Sequence, residues 1–142
     1  MLAAVRIRST VKKRSEIIAT LKLLRLNRNM HCVLLPETPQ IKGMLQKAKD
    51  FITFGPISDE MLSLLIKKRA RKKGNKRLSE KEAEEIISKI KSGEKIKNLA
   101  IKPVFRLTPP SGGFKKSIRL PYPRGEAGNR GEKINELLKR MI

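Results

Sequence analysis

The sequence predicts a fold of the α+β class. Three observations point to it: the first 57 residues alternate strand-like and helix-like segments, the second half is mainly helical, and a long basic segment without periodicity interrupts that half.

From Ala3 to Ser9, Val5 and Ile7 alternate with Arg6 and Arg8, the pattern of a strand with one buried face and one basic face. From about Lys13 to Leu26, Ile17, Ile18, Leu21 and Leu24 recur at helical spacing. Lys22 and Arg25 border this stripe, and Leu23 and Leu26 fall off it. Asn27 to Asn29 break the pattern, and Met30 to Leu35 is an apolar run of strand length that Pro36 ends. Thr38 and Pro39 then start a second helix, because a threonine hydroxyl accepts from the first helical amides and the first helical position needs no N–H donor. Ile41, Met44, Leu45 and Ala48 form its stripe, and Phe51 to Ile57 returns to strand composition around Gly55-Pro56.

Beyond Ile57 the texture changes. Ser58 caps a helix carrying Met61, Leu62, Leu65 and Ile66, and KKRARKKGNKR then places eight positive charges in eleven residues around Gly74-Asn75. Ser79 and Glu82 have the spacing of a capping box, Ala83, Ile86, Ile87 and Ile90 form a buried stripe, and Gly93 is a stop signal. A strand over Val104 to Leu107, the long basic loop and a last helix bearing Ile134, Leu137, Leu138 and Met141 complete the chain. Because about 57 residues alone bury a small share of their surface, residues 1–57 are expected to form a sheet-and-helix core, with 58–142 a helical extension packed on it.

Leu107 to Gly131 reads LTPPSGGFKKSIRLPYPRGEAGNRG, longer than the roughly 12 to 15 residues that unstructured loops in compact domains reach. Lys115, Lys116, Arg119, Arg124 and Arg130 stand against Glu126 alone, so an anion outside the chain is expected to hold the segment from Pro109 to Arg130 in place. The formal net charge of +21 points the same way, because self-repulsion of that size disfavours a compact state unless a polyanion neutralises it. Basic residues occur throughout rather than in one juxtamembrane cluster, which favours nucleic acid over an acidic membrane surface. With one cysteine and one histidine there is no internal disulfide and no four-ligand zinc site of the usual kind, as suits a reducing compartment. Arg6 and Arg8 occupy the place where a signal peptide needs its apolar region, and no run reaches the length of a membrane span, so a cytoplasmic location is expected.

Catalytic constellations fare poorly. His31 and Cys32 are neighbours in a strand and point to opposite faces, so they cannot act as base and nucleophile. Glu80, Glu82, Glu84 and Glu85 lie in the first turns of a helix, where carboxylates complement the dipole. Gly125, Gly128 and Gly131 match neither a dinucleotide fingerprint nor a phosphate-cradling loop. The connection around Gly74 is too long for a DNA-reading helix-turn-helix, whose second helix would moreover present glutamates to the groove. Lys67 to Arg77 and Phe114 to Arg130, by contrast, combine arginine with glycine or proline, which lets a main chain follow an irregular phosphate backbone. Phe114 and Tyr122 either stack on unpaired bases or pack on the loop's own prolines. Scattered contacts favour folded RNA over duplex DNA; a chromatin-type DNA-binding protein is the alternative.

ATLKLLRLNRNMHCVLLPETPQIKGMLQKAKDFITF resembles the core of the ribosomal protein L-thirty family of the large subunit, including the Pro-Glu-Thr-Pro turn at 36–39. GNKRL at 74–78, PPSGGFKK at 109–116 and AGNRGEKINELLKRM at 127–141 resemble its long archaeal and eukaryotic form, called L-seven in eukaryotes. The resemblance spans essentially the whole chain. It implies a three-stranded antiparallel sheet with two helices on one face, similar to the ferredoxin-like fold, plus a mainly helical C-terminal extension with a long basic loop. It also implies a non-enzymatic, monomeric structural role in the cytoplasmic ribosome, binding large-subunit ribosomal RNA close to the 5S RNA beside neighbouring ribosomal proteins, with no cofactor, metal, membrane or small-molecule substrate. The family's basic loop positions fall on Asn75, Lys76, Arg77, Lys115, Lys116, Asn129 and Arg130. Arg6, Arg8, Lys12, Lys13, Arg14, Arg25, Arg28, Arg69, Arg71, Lys72, Lys73, Phe114, Arg119, Tyr122 and Arg124 complete the candidate RNA-contacting set. Two departures stand out: Phe54 where the family often has tryptophan, and no long basic N-terminal arm of the eukaryotic kind, which favours the archaeal type. The composition excludes an acidic, halophile-type surface.

Overall fold

The computed structural model describes residues 1–11, 13–94 and 96–142, with the side chain of Lys97 left aside. Among the described residues, five strands and five α-helices follow one another as β1 (Leu2–Arg6), α1 (Ser15–Leu23), β2 (His31–Leu35), α2 (Pro39–Lys47), β3 (Ile52–Pro56), α3 (Asp59–Arg69), α4 (Glu80–Lys91), β4 (Val104–Arg106), β5 (Gly128–Asn129) and α5 (Ile134–Met141). The mixed α+β class therefore holds. The sheet, however, has five strands in the order β4-β2-β1-β3-β5 rather than three. Its centre is antiparallel as expected, with β1 pairing β2 and β3, and β4 joins β2 antiparallel. The last pair, β3 with β5, is parallel. Of the two further strands, β4 falls within the strand expected over Val104 to Leu107, and β5, with two residues, is too short to carry a period-two pattern of its own.

Pleating sends Leu2 and Ala4 of β1 to one face, where they meet Leu21, Leu24, Leu45 and Ala48 of the α1 and α2 regions. Ala3, Val5 and Ile7 go to the other face and meet Leu65 and Ile66 of α3, Ile86 and Ile90 of α4, and Leu138 of α5. Helices thus cover both faces, and β1, expected to keep a basic solvent side, is buried along its whole length because it is the central strand. Arg6 is the residue this displaces: its guanidinium donates to the carbonyls of Leu26 at 3.0 Å and Asn27 at 2.7 Å and to Thr10 Oγ1 at 2.9 Å, tying down the loop after α1.

Local signals act where the residues place them. Thr38 Oγ1 accepts from Ile41 N–H at 3.3 Å, and Ser58 Oγ from Met61 N–H at 3.4 Å. In the capping box Ser79 N–H donates to Glu82 Oε2 at 3.0 Å. The end of α1 explains the burial of Leu26, which lies outside the apolar stripe. Arg25 adopts φ 61°, its N–H donates to Lys22 O at 2.9 Å, and Leu26 N–H donates to Leu21 O at 2.9 Å. This is a Schellman ending, and it folds Leu26 back against Leu21.

The long loop has a topological reason. β4 and β5 lie on opposite edges of the sheet, four strand spacings apart, so the chain between them must cross about 19 Å at roughly 4.8 Å per spacing. On the way it runs along α5: Thr108 N–H donates to Met141 O at 3.1 Å and Ser111 N–H to Arg140 O at 3.0 Å.

Candidate nucleic-acid interface

The loop is ordered by its only acid. Glu126 is buried, forms a close ion pair with Arg130, and accepts Lys116 N–H on Oε1 at 3.1 Å, while its own N–H donates to Ser117 O at 3.0 Å. Tyr122 N–H to Ala127 O at 2.8 Å and Ala127 N–H to Leu120 O at 3.1 Å close the same turn. Gly125 permits this closure, because a Cβ there would run into the Leu120 carbonyl. The expectation that an outside anion must impose order is therefore corrected: the segment carries its own buried hub. No run of residues signals that hub in sequence, because one carboxylate does the work of several main-chain partners. Arg130 is consumed in this way, and Tyr122 lies between Lys116 Nζ, 5.8 Å from its ring centroid, and the Arg130 guanidinium at 5.5 Å. Phe114 packs partly against the core. Lys115, Lys116, Arg119 and Arg124 remain on the outside of the loop, and Asn129 Oδ1 accepts Gly131 N–H at 3.0 Å at its exit.

At the opposite edge the chain 71–77 forms a hairpin that docks on the connector before β4. Arg71 bridges Arg77, Lys72 bridges Ile101, and Lys102 N–H donates to Arg71 O at 2.8 Å. Gly74 and Asn75 reverse the chain with φ of 89° and 70°, the left-handed region that asparagine tolerates better than most residues. Asn75 then positions two cations: Arg71 donates to its carbonyl at 3.2 Å and Lys102 Nζ to its Oδ1 at 3.1 Å. Arg69, Arg71, Asn75, Lys102, Val104 and Arg106 line a cleft of about 160 Å³, in which no acidic side chain of the described residues takes part. Arg69 is partly committed, donating to Ile142 O at 2.7 Å and Thr108 Oγ1 at 3.2 Å, which ties α3 to the end of α5.

Lys72 is also committed. Its ammonium and Ser79 hold Glu82 down to about 2, from the usual 4.5, and Glu84 pairs with Lys67 at 3.4 Å. Two members of the glutamate cluster are thereby placed as partners of the basic run. Cys32 is fully buried, which pushes its thiol up to about 12 and leaves it a packing residue. Arg8 lies 5.6 Å over the Phe51 ring, and Lys13, Arg14, Arg25, Arg28, Lys73, Lys76 and Arg77 are exposed. Lys12 lies outside the described residues. The hairpin and loop candidates thus form two separate groups, and the candidates from Arg8 to Arg28 belong to neither element.

Lys102 and Arg106 join the hairpin group although their residues are not singled out in sequence. A signal for them exists: Lys102, Val104 and Arg106 repeat at period two, opposite Pro103, Phe105 and Leu107. His31 lies opposite Arg106 in the ladder and therefore shares its face. Its Nδ1 is buried without a hydrogen-bond partner among the described residues.

Comparison with known proteins supplies the family. The family model described as "Ribosomal protein L30p/L7e" matches residues 2–52. Beyond that span, the chain is 43% identical over 152 residues to "Large ribosomal subunit protein uL30" of Archaeoglobus fulgidus, covering 99% of each chain. The chain belongs to the ribosomal protein L30p/L7e family. Proteins of the same printed name from Methanococcus maripaludis, at 44% identity with 99% of this chain and 98% of the relative covered, and Staphylothermus marinus, at 44% with 100% and 98%, agree. This is a family of structural components rather than enzymes, and its archaeal members match the L30p/L7e chain described here from end to end. In L30p/L7e terms the matched 2–52 segment runs from β1 through α2 to the first residue of β3, and the rest of β3, β4, β5 and the three later helices lie in the remainder.

Proposed function

We propose that this chain is a structural constituent of the large subunit of the cytoplasmic ribosome, where its basic loops bind and stabilise folded ribosomal RNA. The observation that carries the reading is the arrangement of cations on a prebuilt scaffold: the hairpin 71–77 and the loop 109–130 are braced by internal hydrogen bonds that leave most of their lysines and arginines facing outward. End-to-end similarity to large-subunit proteins supports the destination. Loops held this way lose little further conformational freedom on binding, and arginine forks take phosphate bidentately. Arg6 and Arg130 are left out of the proposed contact set, because their side chains are buried and bonded inside the molecule. Residues 1–57 serve in this reading as the RNA-binding core and 58–142 as the extension that widens the footprint, with neighbouring ribosomal proteins and the 5S RNA close by.

Competition between a folded large-subunit RNA fragment and duplex DNA at equal salt tests the reading. Preference for RNA is expected. Equal or stronger binding to duplex DNA would bring a chromatin-type role forward instead.

A further inference from the structure

We propose that the cleft beside β4 seats a single backbone phosphate of the bound RNA, an inference that rests on the RNA-binding reading above. Arg71, Lys102 and Arg106 converge there on two supports that do not depend on a ligand, beside Arg69, which already donates to Thr108 and Ile142. Asn75 holds Arg71 and Lys102 from one side, and the β2–β4 ladder fixes Arg106 from the other. The space of about 160 Å³ accommodates several water-sized groups and hence the few heavy atoms of a phosphate. Its charge is one-signed among the described residues, whereas Lys72 and Lys67 nearby are already paired with glutamates. Like charges brought together and positioned in advance are costly in the free protein and become favourable when an anion enters. A strand of nucleic acid is favoured over a small free anion because Lys73, Lys76 and Arg77 stand exposed on the same hairpin and can follow the chain on either side of the seated phosphate.

The protein contains its own reporter. His31 is the only histidine and lies opposite Arg106. Burial lowers its pKa first, followed by Arg106 from β4, Arg28 from the loop before β2 and Arg6 from β1. An anion on Arg106 offsets part of that repulsion, so the His31 titration midpoint should rise.

The experiment follows His31 by NMR in inorganic phosphate against chloride at matched ionic strength, and measures RNA affinity against salt, for the full chain and for Arg71→Gln/Lys102→Gln. Lys102→Gln alone, checked for cooperative unfolding, covers loss of fold in the double variant. The expected result is an upward shift of the His31 midpoint in phosphate that the variants lose, and a log-log salt slope shallower by about 0.7 to 0.9 for one lost phosphate contact. An unresponsive His31 with an unchanged slope overturns the cleft proposal while leaving the RNA reading intact, provided the parent chain still binds RNA steeply. A His31 response without a change of slope also overturns it, in favour of a small free phosphate. A parent chain whose RNA affinity ignores salt overturns both.

Discussion

Arg25 and Glu126 show how single residues set the shape of the surface. Arg25 occupies the position where a helix usually ends on glycine, at φ 61°. Arg25→Gly should raise stability in urea by up to about 1 kcal/mol, since an L side chain in this region costs roughly 1–2 kcal/mol and added backbone entropy offsets part of the gain. Unchanged or lower stability would show that the arginine makes a compensating contact. Glu126 and Arg130 have side chains only 8% and 7% exposed, so Arg130→Ala strands a buried carboxylate and should cost about 3–5 kcal/mol, read as faster amide exchange across 114–131. Lys115→Ala/Lys116→Ala/Arg119→Ala touches the outside of the same loop and should stay within about 0.5 kcal/mol per site while weakening RNA binding. Glu82 adds a pH dependence. Its carboxyl is held below its unfolded value, so its stabilisation is complete above about pH 4.5 and disappears as the pH falls through about 2. Thermal unfolding across that window should be less pH-dependent in Glu82→Gln than in the parent chain.

At the scale of elements, the legible parts were those written in a short window. The caps at Thr38, Ser58 and Ser79 and the stripes of α2, α4 and α5 follow from spacing alone. The illegible parts depend on partners far away in the chain. Gly128-Asn129 has no strand character and becomes β5 only because Thr53 and Phe54 lie beside it. The apolar alternation of β1 conceals its second buried face, because Leu2 and Ala4 are the only apolar residues that mark it within the strand. Among the candidate contacts, exposed hairpin and loop cations were readable as charge runs, whereas the commitment of Arg6, Lys72 and Arg130 to internal partners was not, since those partners lie up to 21 residues away. Gly55 illustrates a junction of elements. Its Cα faces the Gly131 carbonyl just before α5, so Gly55→Ala should push α5 away from β3 and cost about 1–3 kcal/mol, measured by denaturation.

Across the whole molecule, a net charge of +21 sets two salt effects of opposite sign. Added salt screens self-repulsion and should stabilise the free protein, while it weakens attachment to RNA with a log-log slope of about 0.7 to 0.9 per phosphate contacted. The architecture suits that use. Helices cover both faces of the sheet, the hairpin docks beside β4 at one edge, and the long loop spans from β4 to β5 at the other. The central claim is tested most directly by sedimenting a native lysate through a gradient after a moderate-salt wash and following this chain by mass spectrometry. It should travel with the large ribosomal subunit in constant proportion to the other proteins of that particle. Recovery at the top of the gradient, or together with DNA, would contradict it.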